Sequence, residues 1–161
     1  MHYSWYRAAG TVLAQRVVMT NLMAPHRTIL VIEDEQSIRD TLVELFEVEG
    51  NAVMSAGLLP DALELLRTQR FDLIVTDLRL GGKRDGGLQV MALAGMLSPD
   101  ATVLVLTAYP DDSNRQASIR LGAVQFLEKP IDLATIAQHA ATAGVRTAFA
   151  TVGSAGTVGA T

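Results

Sequence analysis

Short apolar runs and amphipathic stretches alternate along the middle of the chain. Thr28 to Glu33 reads TILVIE, a β-branched run of strand length. Ile38, Leu42, Leu45 and Phe46 follow at helical spacing, and Gly50 is expected to stop that helix. Asn51 to Ala56 predicts a second, weaker strand. Leu59, Ala62, Leu63 and Leu66 predict a second helix with Pro60 in its first turn. Phe71 to Thr76 (FDLIVT) predicts a third strand, and Val90, Leu93, Ala94 and Leu97 a third helix. Ser98-Pro99-Asp100 reads as a turn, and Thr102 to Thr107 (TVLVLT) as a fourth strand. Residues 112–121 predict a fourth helix closed by Gly122, and Val124 to Leu127 a fifth strand. Asp132 is placed to cap a fifth helix whose apolar face is Leu133, Ile136, Ala137 and Ala140.

Five strand–helix units in strict alternation imply an α/β fold, a parallel sheet covered by helices on both faces. Ligands of such sheets bind beyond the carboxyl ends of the strands, so the polar residues there matter most. The first strand delivers Glu33, Asp34 and Glu35, and the third delivers Asp77. The fourth ends in Thr107, and the fifth in Glu128, Lys129 and Pro130.

Carboxylates meeting at one point repel unless protonated or bridged by a cation. A cluster of oxygens without His or Cys suits Mg²⁺ rather than zinc. Mg²⁺ is typically shared between one or two carboxylates and phosphate oxygens. An Asp beside it can accept a phosphoryl group, with a hydroxyl and an ammonium stabilising the transferring charge. Each residue alone has an ordinary reading: Asp34 and Glu35 favour a helix N-terminus, Thr107 ends a β-branched strand, Lys129 is a solvated charge, and Phe126 belongs to a core.

Composition narrows the class. The chain has 161 residues, 49% hydrophobic and 19% charged, enough to bury one core. It has no cysteine, which excludes disulfides and thiolate chemistry. No apolar run reaches about 18 residues, so no membrane span is indicated. A net charge of −4 offers no footprint for direct DNA binding. All 17 carboxylates lie between Glu33 and Asp132, against ten basic residues from Arg27 to Lys129, a net of −7. This shift marks a body at 26–144. Residues 1–25 are basic, acid-free and moderately apolar. They are expected to be an extension from an upstream start, with Met19 or Met23 as the natural first residue. Residues 145–161 are rich in Gly, Ala and Thr and are expected to lack order. His2, His26 and His139 have no partners at metal-ligand spacing.

Four segments in order, ILVIEDE (Ile29–Glu35), DLIVTD (Asp72–Asp77), VLVLTA (Val103–Ala108) and FLEKP (Phe126–Pro130), resemble the receiver domain of two-component response regulators. Spacings of 43 residues from Asp34 to Asp77, 30 to Thr107 and 22 to Lys129 also match. The likeness covers roughly residues 27–143 and points to a CheY-like, stand-alone receiver or a fragment of a longer regulator. It implies a flavodoxin-like, doubly wound sheet of five strands in the order 2-1-3-4-5 with five helices. Asp77 would be the phosphoacceptor, charged by a histidine kinase or histidine phosphotransfer protein. Mg²⁺ would be held by Asp34, Asp77 and the backbone carbonyl of Arg79, with Glu33 acting through a bound water. Thr107 and Lys129 would hold the phosphoryl oxygens, and Phe126 would turn inward with Thr107 on activation. The fourth helix, fifth strand and fifth helix would contact an unknown downstream protein, or pair two copies. The domain would act in the cytoplasm as a switch rather than an enzyme. The Lys129-Pro130 bond is usually cis in this family.

The chain departs from the family in three places. Glu33 stands where many receivers have Asp. The loop LRLGGKRDGG after Asp77 looks about two residues longer than usual, with Gly81 or Gly82 in place of a proline. By the resemblance, Arg79 and Tyr109 would occupy positions that tune the lifetime of the aspartyl phosphate. Two other classes fit less well. An aspartate-nucleophile phosphatase wants a second Asp where Arg79 stands. A phosphorylation-independent interaction module usually lacks the acceptor Asp or the Lys, and both are present.

Overall fold

The computed structural model describes residues 26–149. The strands are β1 (Arg27–Ile32), β2 (Asn51–Ala56), β3 (Leu73–Asp77), β4 (Thr102–Thr107) and β5 (Ala123–Glu128). The helices are α1 (Gln36–Phe46), α2 (Leu59–Thr68), α3 (Gly86–Leu97), α4 (Asp112–Arg120) and α5 (Leu133–Thr142). All strand pairings are parallel, in the order β2-β1-β3-β4-β5. Chain order reverses at β1, and the crevice there opens between the ends of β1 and β3.

The period of two in a strand divides the core. Leu30, Ile32 and Ile74 face one side and pack with Ala62, Leu66, Val90, Met91 and Ala94 from α2 and α3. Ile29, Val31, Leu73, Val75, Leu104 and Leu106 face the other, against Leu42, Phe46, Ile136 and Ala140 from α1 and α5. All five residues of β3 are buried, because it is the middle strand with helices on both faces. β2 and β5 are edges, and both are only partly covered.

Capping follows the sequence. Asp132 accepts from the Ala134 amide at 3.1 Å and starts α5, and Pro60 lies in the first turn of α2. Strand ends shift by one or two residues from expectation, and two further differences have a physical reason. α1 ends at Phe46, and Gly50, at φ 90°, serves instead the turn into β2, its carbonyl accepting from the Arg27 amide at 2.9 Å. The packed chain also runs past residue 144, so the expected tail from 145 onward begins too early. Gly144, at φ 71°, donates to Ala141 O, and Val145 donates to Ala140 O, each at 3.0 Å. This is a Schellman closure of α5, with an apolar residue following the glycine. It returns the chain to the core: Val145 and Thr147 are buried, the Ala148 amide donates to Leu45 O at 2.9 Å, and the Arg146 guanidinium donates to Glu49 O. Residues 1–25, and the tail beyond 149, lie outside the described residues. Among the described residues no helix is long and apolar enough to cross a membrane.

Gly87 binds the start of α3 to the end of β3. A Cβ there would fall 2.5 Å from Asp77 O and 2.7 Å from Leu78 Cα, both backbone atoms. Gly87→Ala is therefore expected to lower the unfolding free energy in urea by about 1–3 kcal/mol through overpacking. Gly95→Ala, in the same helix with open space around it, is expected to stabilise by about 0.5–1 kcal/mol.

Candidate functional site

Strand ends bring the predicted polar residues together. Glu33 follows β1 and is fully buried, and Asp77 and Thr107, the last residues of β3 and β4, are buried too. Asp34, in the bend beyond the end of β1, is exposed at the crevice mouth. Lys129 follows β5 and reaches across β4. Its Nζ lies 2.7 Å from Glu33 Oε2 and 2.7 Å from Asp77 Oδ2. The Lys129-Pro130 bond is cis, as the family resemblance implies.

Backbone amides take up the remaining acceptors. Arg79 N–H donates to Asp77 Oδ1 at 3.0 Å, and Glu35 N–H to Glu33 Oε1 at 3.1 Å. Gly81 N–H donates to Asp34 Oδ2 at 3.2 Å, and Tyr109 N–H to Thr107 Oγ1 at 3.1 Å. One carboxylate oxygen from each of Glu33, Asp34 and Asp77 lies within 4.8 Å of the others.

Charge does not balance at this point. Three carboxylates face one ammonium. Burial raises the Glu33 pKa, the Asp77 charge raises it further, and the Lys129 hydrogen bond works against both. Burial works against the Lys129 ammonium, but hydrogen bonds to Asp77 and then Glu33 outweigh it and raise its pKa. The donor set is all oxygen and carries excess negative charge. A hard divalent cation fits those terms, since ligands at about 2.0–2.1 Å place neighbouring oxygens roughly 3–4 Å apart.

The loop after Asp77 does not disturb this geometry. Leu80 and Lys83 bond each other's backbone in both directions at 3.1 Å, with Gly81 at φ 59° and Gly82 at φ 77° between them. Positive φ at both central residues is what a type I′ turn demands, and glycine meets it without strain. The loop thus closes on itself, and Leu80 is buried beneath it.

Three contacts of basic side chains carry no signal in the sequence. Arg39 in α1 bonds the backbone of the acidic loop. The Arg79 guanidinium carbon stacks 4.2 Å from the centre of the exposed Tyr109 ring. Arg115 lies 4.9 Å from the ring centre of half-buried Phe126. A long basic side chain on a helix gives no sequence signal of what it folds onto. His139 in α5 is half-buried.

A family model described as the response regulator receiver domain matches residues 29–141. The chain belongs to the response regulator receiver family. Receiver domains are signalling domains of two-component systems, phosphorylated on aspartate, and they bind a divalent metal in an acidic pocket. The chain is 38% identical over 102 residues to the alginate biosynthesis transcriptional regulatory protein AlgB of Pseudomonas aeruginosa, covering 63% of this chain. It spans only 22% of that relative's length. It is 30% identical to sporulation initiation phosphotransferase F of Bacillus subtilis, covering 65% of this chain and 83% of the relative. A crystal structure of a response regulator from Burkholderia pseudomallei, with a phosphorylated aspartic acid and a calcium ion, superposes with a TM-score of 0.62 at 34% identity. That match covers 68% of this receiver chain and 64% of the other.

Two measurements check the electrostatics. Without divalent ions, Asp34→Asn is expected to raise the melting temperature by roughly 2–4 °C by relieving repulsion among the carboxylates. Added Mg²⁺ is expected to raise the wild-type midpoint and close that gap. Glu33, with its pKa raised on folding, contributes stability below the unfolded value of about 4.3 and loses it as pH rises through the folded value. Urea unfolding in EDTA should therefore show wild-type stability falling relative to Glu33→Gln across that window.

Proposed function

We propose that this receiver is a phosphorylation-activated switch that accepts its phosphoryl group on Asp77. The observation that carries the reading is the convergence of Glu33, Asp34, Asp77 and Lys129 at the mouth between β1 and β3. Asp34, Asp77 and the Arg79 carbonyl would hold Mg²⁺, with Glu33 reaching it through water. Bound there, Mg²⁺ supplies charge neutralisation for the phosphoryl oxygens.

The donor is a phosphohistidine of a kinase or phosphotransfer protein. An Asp77 carboxylate oxygen attacks phosphorus, the P–N bond breaks, and its electron pair returns to the imidazole nitrogen. Lys129, already 2.7 Å from Asp77, follows the new negative charge onto a phosphoryl oxygen. Thr107 exchanges its bond from the Tyr109 amide for the phosphoryl group, and its own O–H donates. Movement of Thr107 opens room toward β5, and Phe126 turns into it. The changed surface is α4, β5 and α5, where Ile119 and Val124 are exposed and available to a downstream protein or a second copy. The setting is the cytoplasm, where two-component kinases present their phosphohistidine.

The Arg79–Tyr109 stack roofs the acceptor and shields the acyl phosphate from water. Such contacts contribute about 0.5–1 kcal/mol at exposed sites, enough to hold a roof without sealing it.

Incubation with acetyl phosphate and Mg²⁺ is expected to add one phosphoryl group by intact mass. The addition should vanish in Asp77→Asn and in EDTA. No addition, with the circular dichroism spectrum intact, would leave a phosphorylation-independent interaction module as the reading. Arg79→Ala and Tyr109→Ala are each expected to shorten the half-life of the phosphorylated protein. Unchanged half-lives would sink the shielding role.

A further inference from the structure

Arg39 belongs to the first turn of α1, but its side chain folds back over the connection between β1 and α1. Its Nη1 donates to the Glu33 carbonyl oxygen at 2.7 Å and lies 3.4 Å from the Asp34 carbonyl oxygen. The guanidinium also lies against Gly57. A Cβ on that residue would stand 2.8 Å from Nη1 and 3.2 Å from Cζ. Gly57 has no positive φ, so what the glycine supplies is space. The residue before it, Ala56, accepts the Glu33 amide at 3.1 Å. The acidic pair is thus held from both sides: the end of β2 fixes its amide, and Arg39 fixes its carbonyls.

We propose that Arg39 is a positioning residue for the divalent cation site, with Gly57 as the slot that admits it. The inference rests on the phosphoacceptor reading above. Glu33 and Asp34 are consecutive, yet one side chain is buried beside Lys129 and the other lies exposed beside Gly81. Rotation of the peptide between them would swing one carboxylate toward the crevice and the other away. A charged donor on both flanking carbonyls opposes that rotation, since charge-assisted bonds are the stronger kind. Arg39 makes no ion pair with a carboxylate among the described residues. Its charge therefore orders the ligands and leaves their negative charge for the cation. Residues that orient metal ligands from outside commonly change affinity by about 10–100-fold when removed.

The test is calorimetric titration of the full chain with MgCl₂, with melting curves in EDTA and in Mg²⁺. Arg39→Ala is expected to weaken Mg²⁺ binding about tenfold and to shrink the Mg²⁺-induced rise in melting temperature. Arg39→Lys should recover part of the affinity, because an ammonium can still donate to one carbonyl. Gly57→Ala should weaken binding in the same direction, because its methyl displaces the guanidinium. Combined with Arg39→Ala it should add nothing, since the slot is then empty. A purely structural role would lower the melting temperature equally with and without Mg²⁺ and leave affinity unchanged, and that result overturns the proposal. So does a Gly57→Ala effect that adds fully to that of Arg39→Ala. A wild-type protein that binds no Mg²⁺ overturns the phosphoacceptor reading and the clamp with it.

Discussion

The half-buried ammonium of Lys129, shared between Glu33 and Asp77 at 2.7 Å each, ties the far edge of the sheet to its centre. A buried carboxylate is tolerable only when paired and hydrogen-bonded, and Glu33 is fully buried. Lys129 and the Glu35 amide meet that requirement from opposite oxygens. The position of Lys129 depends in turn on the register of β5 against β4, where Thr107 pairs with Glu128, the residue before the lysine. A slip of one residue would turn Lys129 away, leave Glu33 charged in a dry site, and expose the apolar face of β5.

One ammonium does not neutralise three carboxylates, and the surrounding loops are built around the remainder. Backbone amides of Glu35, Arg79 and Gly81 each point at a carboxylate oxygen. They hold the acids without cancelling their charge, which keeps the cluster compact and receptive to a cation. Gly87 and the Gly81-Gly82 turn keep the β3–α3 loop close to the end of β3. Conformational freedom is spent where the backbone must approach, and side-chain chemistry is concentrated where charge must change.

One helix is packed far less firmly than the other four. α1, α2, α3 and α5 each bury two or more apolar residues. α4 buries only Ser118, whose hydroxyl has no hydrogen-bond partner, while Ile119 is exposed. A helix with so little apolar burial is anchored chiefly by its Asp111 cap and by Arg115 against Phe126. Weak burial at α4 beside a tightly bonded acidic centre suits an element whose position is set by the residues next to that centre.

Much of this was legible in the sequence. Strand and helix periodicity read out ten elements, and residue types at strand ends read out Glu33, Asp34, Asp77, Thr107 and Lys129, because both signals are local. The closure at Gly144-Val145 was written there too, as a glycine followed by an apolar residue, but a Gly/Ala/Thr-rich tail masked it. Other features were decided only by the tertiary structure. That Lys129 bridges two acids, that Arg39 lies on Gly57, and that Arg79 stacks on Tyr109 each depend on two segments far apart in sequence meeting at one place. A long, flexible basic side chain takes its partner from what the packed sheet brings within reach, and no local pattern encodes that.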